Sequence, residues 1–216
     1  MRWFRRRRAE PRAEAPDPRT LAERFWCGWQ EALPEIAAAL GDREPNRVEN
    51  RLCDLVGGLH PRLHFAIERG QRSIYALVLT GQEDPELRPY TDAWKEAAPP
   101  EDPIWEYHDS VPPVPDPTQV TVNLGAHRIR LADVRVAAQV DEDEGVVDVA
   151  VHHPAMAELE PAARQAMTFL PLDATLGERL AGERLRRVET AEAEPNDSIG
   201  LLELRDLVRK LASLHP

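Results

Sequence analysis

Val134-Arg135-Val136-Ala137-Ala138-Gln139-Val140-Asp141 alternates apolar with polar or small side chains, and after Asp141-Glu142-Asp143-Glu144-Gly145 the alternation resumes at Val147, Val149 and Val151. A period of two belongs to a half-buried strand, and two such runs joined by a short loop make a β-hairpin. The hairpin decides the fold class. A doubly wound nucleotide fold alternates one strand with one helix, whereas this stretch sets two strands back to back.

Working outward, Gln119–Leu124 and His127–Leu131 form a second strand pair around Gly125-Ala126. Downstream, Pro154 ends the hairpin. Leu159–Leu176 reads as a helix bent at Pro171 and stopped by Gly177, Leu185–Thr190 as a short edge strand, and Ser198 as the cap of a last helix carrying Leu201, Leu204, Val208 and Leu211. Upstream, Val111–Pro117 holds four prolines in seven residues. Such a segment is extended, cannot enter a central strand, and marks the best internal boundary.

Before that boundary, Leu63, Phe65 and Ile67 alternate as a strand, and Ser73–Thr80 is apolar on both faces, as in an interior strand. Asp84 and Pro85 open a helix with Leu87, Tyr90, Trp94 and Ala97 on one stripe, and Ile104–His108 is a short aromatic strand. Two helices come first. Leu21, Phe25, Trp29, Leu33, Ile36 and Leu40 share one helical face, with Thr20 as the expected cap and Pro34 expected to kink or split the helix. Pro45 opens the second helix, which carries Val48, Leu52, Leu55 and Leu59.

The predicted fold is therefore α+β: antiparallel or mixed sheet with helices packed mainly on one face, an N-terminal helical pair and a disordered N-terminal arm. The predicted divisions are the arm at 1–19, a helical pair with a ββαβ half at 20–110, the proline-rich linker at 111–117, and a ββββαβα half at 118–216 that shares a core with the first or builds its own.

Charge narrows the partners. The chain has 216 residues and a formal charge of −11. Its first twenty residues carry seven Arg and three acids, which leaves 20 basic and 35 acidic residues, a charge of −15, for the rest. A body of that charge repels phosphate backbones, so no nucleic-acid partner is expected for it. The arm, Met1-Arg2-Trp3-Phe4-Arg5-Arg6-Arg7-Arg8, offers a weak contact to an anionic surface. No apolar stretch of signal-peptide length follows it, and no run reaches the ~20 residues of a membrane span. Cys27 and Cys53 lie in helical patterns, are expected to pack as small apolar groups, and sit at no zinc-knuckle spacing. With no export signal they point to the reducing cytoplasm.

GxxxxGK[ST], GxGxxG, GxSxG and HExxH are all missing, so no cofactor is expected and no catalytic or metal-ligating set is assigned. The candidate cluster is Glu106, His108, His152, His153, Asp173 and Glu178. His152 and His153 are neighbours at a strand end, where consecutive side chains diverge. Satisfied or exposed histidines are the plainer reading. Asp173 and Glu178 flank Gly177 as a carboxylate pair, capable of acid–base work if one is desolvated. The acidic loop Asp141–Glu144 lacks EF-hand spacing and reads as a solvated hairpin tip. Trp26, Trp29, Trp94, Trp105 and Tyr107 fall at core periods.

Leu79-Thr80-Gly81, Leu87-Arg88-Pro89, Ala97-Ala98-Pro99-Pro100, Trp105-Glu106-Tyr107 and Leu172–Glu178 occur in that order. Together they resemble an uncharacterised bacterial family, a domain of unknown function with relatives in plants, over roughly residues 60–190. The resemblance implies an α+β fold and no activity. A related domain is joined in some proteins to a ribonuclease-regulator domain, which implies a regulatory role. Pro171 departs from the family's Leu-Gly-Glu helix. The function expected is a binding or regulatory module working through protein contacts. The alternative is a small hydrolase or metal-dependent enzyme built on the histidines and Glu106.

Overall fold

Residues 16–125 and 127–215 are described by a computed structural model. Helix α1 spans Pro18–Gly41 and helix α2 spans Asn46–Leu59. Asp17, rather than Thr20, caps α1: its carboxylate accepts the Thr20 backbone N–H at 3.0 Å. Pro18 takes the first helical turn, where its missing N–H is no loss. The helix thus begins inside the segment expected to be irregular, and residues 1–15 of the arm lie outside the described residues. Pro34 does not split α1. It is exposed, and the burial of Trp29, Ala32, Ile36 and Ala39 on both sides of it offsets the one backbone hydrogen bond it removes.

Strands β1 (His64–Arg69), β2 (Tyr75–Thr80) and β3 (Trp105–His108) form a sheet in that order. β1 runs antiparallel and β3 parallel to β2. Parallel neighbours need a crossover; a 3₁₀ turn at Pro85–Leu87 and helix α3 (Arg88–Glu96) supply it. Central β2 buries Ala76–Leu79. The core of this half is aromatic. Trp26 stacks on Trp94 with centroids 4.9 Å apart, Trp29 meets Trp105 edge-on at 5.0 Å, and the Trp26 Nε1–H donates to the Trp94 carbonyl at 2.8 Å. Cys27 and Cys53 are exposed instead of buried. Each stands one residue past a stripe position, Trp26 or Leu52, and about 100° of helix rotation turns it to water.

In the second half, β4 (Thr121–Leu124) pairs antiparallel with β5 (His127–Arg130). The opening hairpin is β6 (Arg135–Asp141) and β7 (Val146–His152), with Val136 opposite Val151 and Val140 opposite Val147. Strand β8 (Leu185–Thr190) joins β7 in parallel, giving the order β6-β7-β8. Helices α4 (Pro161–Leu176) and α5 (Glu178–Arg184) make that crossover, and α6 (Leu201–Leu214) closes the chain. α6 is capped at Gly200, where the Glu203 carboxylate accepts the Gly200 N–H at 2.8 Å. Ser198 cannot start it, because Ile199 is still extended and bridged to Val136. An aliphatic core of Val136, Val147, Val149, Val151, Met167, Leu172, Leu204 and Val208 lies between this sheet and its helices. No helix among the described residues is long and apolar enough to cross a membrane.

The aromatic cluster runs from Ala22 to Tyr107 and the aliphatic one from Ile129 to Leu211. The proline segment between them is gripped rather than slack. Buried Arg205 donates to the carbonyls of Thr175, Pro115 and Val114 at 2.7–2.8 Å. Val114 N–H reaches Ala174 O at 2.9 Å, and Glu178 N–H reaches Val111 O at 2.9 Å. Gly177, at φ +76°, is required here: a Cβ would lie 2.7 Å from the Pro113 ring.

Candidate functional site

The six candidate residues occupy three places. Glu106 and His108 project from the same face of β3, and His108 Nε2 lies 2.9 Å from Glu106 Oε1. The Glu106 side chain is wholly buried. It also accepts the backbone N–H groups of Gln71, Arg72 and Ser73 at 2.9, 2.7 and 2.9 Å. Four donors match the four lone-pair positions of a carboxylate. Burial alone pushes this carboxyl up, but the hydrogen bonds from His108 and the three N–H groups outweigh it and hold it down at about 2. Glu106 organises the β1–β2 loop and has no oxygen free for a substrate.

His152 and His153 lie in the other half, at the end of β7. Strand alternation sends them opposite ways. His153 is buried, its Nδ1 accepting the Ala155 N–H at 3.0 Å and its Nε2 lying 3.2 Å from the Arg130 carbonyl. Burial, chiefly, holds it below the usual histidine range. His152 pairs across the sheet with Arg135. No hydrogen bond or ion pair among the described residues joins this pair to Glu106 or His108, and no group of three or more His, Cys, Asp or Glu is placed to hold a metal ion. The convergence that the enzyme alternative needs is therefore not found there.

Asp173 and Glu178 do come together, across the Gly177 corner, on one open cavity of about 340 Å³. Its other walls are Thr80, Gln82, Glu83 and Val111. The site is thus a cleft between the end of β2 and the α4–α5 corner. Glu178 laces it together: one oxygen accepts the Thr80 hydroxyl at 2.6 Å and the Glu83 N–H at 3.0 Å, the other the Val111 N–H at 2.9 Å. Gln82 and Glu83 sit at φ +52° and +65°, a left-handed conformation that costs non-glycine residues energy. At the rim, Arg179 bridges Asp92 and Asp109 at 2.5 and 2.9 Å, and Arg88 pairs with Glu183.

Among the described residues the Asp173 carboxylate, like that of Glu83 and unlike that of Glu178, makes no hydrogen bond or ion pair. Withdrawal from water first, then Glu83 and Glu178, push its carboxyl up to about 6. Asp173 is nevertheless an exposed residue, so water trims the upward shift. A carboxyl of this kind can take up a proton near neutrality or accept a cation.

Two of the stretches quoted above line the cleft, through Thr80 and through Asp173 with Glu178, and Gly81 and Arg88 line a smaller neighbouring cavity that shares Glu83 and Glu178 with it. Glu83, Arg179 and Asp109 were missed. The available signal was Gly81-Gln82-Glu83-Asp84, an acidic run at the carboxyl end of an interior strand, where crevices form in α/β sheets. Compared with protein-family models, curated proteins and solved structures, the chain matches none.

Proposed function

We propose that the chain is a cytoplasmic binding or regulatory module that works through protein–protein contacts, with the cleft as its recognition point for a basic side chain of the partner. The observation that carries this reading is Asp173, a carboxyl with no cation paired to it among the described residues, crowded by Glu83 and Glu178 on a cavity open to solvent. An ammonium or guanidinium entering there relieves the crowding of like charge and gains a charge-assisted hydrogen bond. The acidic body favours the same class of partner by steering it, and disfavours nucleic acid.

Titration of arginine- and lysine-containing peptides, with the Asp173 side chain followed by NMR, tests the reading. A bound basic residue should pull the Asp173 titration below its free value, and Asp173→Asn should weaken binding roughly tenfold, the equivalent of one pKa unit. Peptides that bind with the Asp173 titration unmoved would place recognition elsewhere.

A further inference from the structure

We propose that the outer edge of β1 is a self-association surface, where two copies of the chain pair their β1 strands antiparallel about Ala66 into one continuous six-stranded sheet. The proposal is independent of the cleft.

Two sheet edges among the described residues are covered. At β3, the Lys95 ammonium takes the Tyr107 carbonyl at 2.6 Å and the Asp102 N–H takes the Trp105 carbonyl at 3.0 Å. Ile199 bridges the free side of β6. β1 has no such cover. Among the described residues it pairs only with β2, and its middle, Phe65-Ala66-Ile67, is apolar and half-buried. Beside it runs a groove of about 430 Å³ walled by Val48 and Leu52 of α2 together with Phe65 and Ile67. An unpaired edge with an apolar centre next to a groove is a template for another strand.

The sequence of β1 identifies the occupant as a second copy. A two-fold axis through Ala66 sets Phe65 opposite the partner copy's Ile67 twice, on the groove face. On the exposed face it sets His64 opposite the partner copy's Glu68 twice, an imidazole donor against a carboxylate. Aromatic with β-branched, and donor with acid, are favourable cross-strand pairs. Within the strand both faces match in this register, and both copies keep α2 on the same side of the joined sheet. A slip of one residue puts His64 against Arg69 and turns the partner's apolar face to water.

Analytical ultracentrifugation of the full chain over a concentration series tests this. A reversible dimer of twice the 24.4 kDa chain mass is expected. His64→Glu, at an exposed position, sets two carboxylates face to face and should weaken dimerisation roughly tenfold or more, with the circular dichroism melt of the monomer unchanged. Adding Glu68→His to it exchanges the charges and should restore the dimer to within about threefold, because the coupling lies within the pair. A chain that stays monomeric throughout overturns the proposal, whether the edge is then covered by residues 1–15 or by an unrelated strand. So does a dimer that ignores His64→Glu, or one that the exchange fails to restore.

Discussion

Glu106 and Asp173 are carboxylates in two regions built on opposite principles. Glu106 lies inside the N-terminal half with every lone pair occupied, three of its four donors being successive backbone N–H groups. Asp173 lies on the cleft between the halves, with like charge near it and, among the described residues, no donor to its carboxylate. One residue type therefore serves as an anchor in one place and as an open valence in the other, and the supply of donors decides which. A histidine beside an acid, as at Glu106 and His108, looks catalytic in sequence. The exposed acid in the last turn of α4 is the one left with something to bind.

The largest effect expected follows from the anchor. Glu106→Ala strands three backbone donors and the His108 ring, and should cost about 3–5 kcal/mol in chemical denaturation. The wild-type anchor also has a pH signature. Its folded value lies near 2 and its ordinary value is 4.5, so between them the unfolded chain binds more protons. Its stabilisation is complete above about 4.5 and is lost as the pH falls toward 2. If wild type and Glu106→Ala lose stability in parallel over that window, the anchor is not the carboxylate.

Asp173 gives the opposite sign at smaller size. Its folded value of about 6 stands above the ordinary 3.8, so the folded chain binds more protons between them. Stability from this group is present below about 3.8 and is lost as the pH rises through 6. Asp173→Asn should stabilise the protein at pH above 6 by a few tenths to about 1 kcal/mol, since the group is partly exposed, and make no such gain at pH 4. A variant less stable than wild type at pH 7.5 would mean that Asp173 already has a cationic partner.

What the sequence could convey tracks how local each feature is. The β6–β7 hairpin was legible because its period and its acidic loop lie within one stretch. Helix α5 was not, since Glu178–Arg184 is seven residues long, follows Gly177 directly and contains Gly182, so it carries no full apolar stripe. Asp173 and Glu178 were legible as a pair five residues apart, but their meeting with Thr80 and Glu83, far away in sequence, depends on how the two halves sit together. The role of Glu106 was hidden for a different reason. Its main partners are backbone N–H groups at 71–73, which have no side-chain signature, while His108 stood in plain view.

The smallest effect tests how the two halves are held. Their cores are separate clusters, and the contacts across the cleft rim are charged: Arg179 to Asp92 and Asp109, and Arg88 to Glu183. Arg179 is 33% exposed and Asp92 53%, so water competes for both. Arg179→Met keeps the aliphatic stem and removes the charge. It should cost only about 0.2–1 kcal/mol at low ionic strength. Most of that difference should vanish in roughly 1 M salt, where the screening length falls to about 3 Å. Denaturation of wild type and variant at both salt concentrations makes the measurement. A loss of several kcal/mol that salt does not touch would mean that the rim is packed like an interior, with the halves fused into one body and Asp173 sealed inside it. The small, salt-sensitive loss expected instead fits a polar junction of the kind that lets domains move against each other, which leaves the cleft free to admit a side chain.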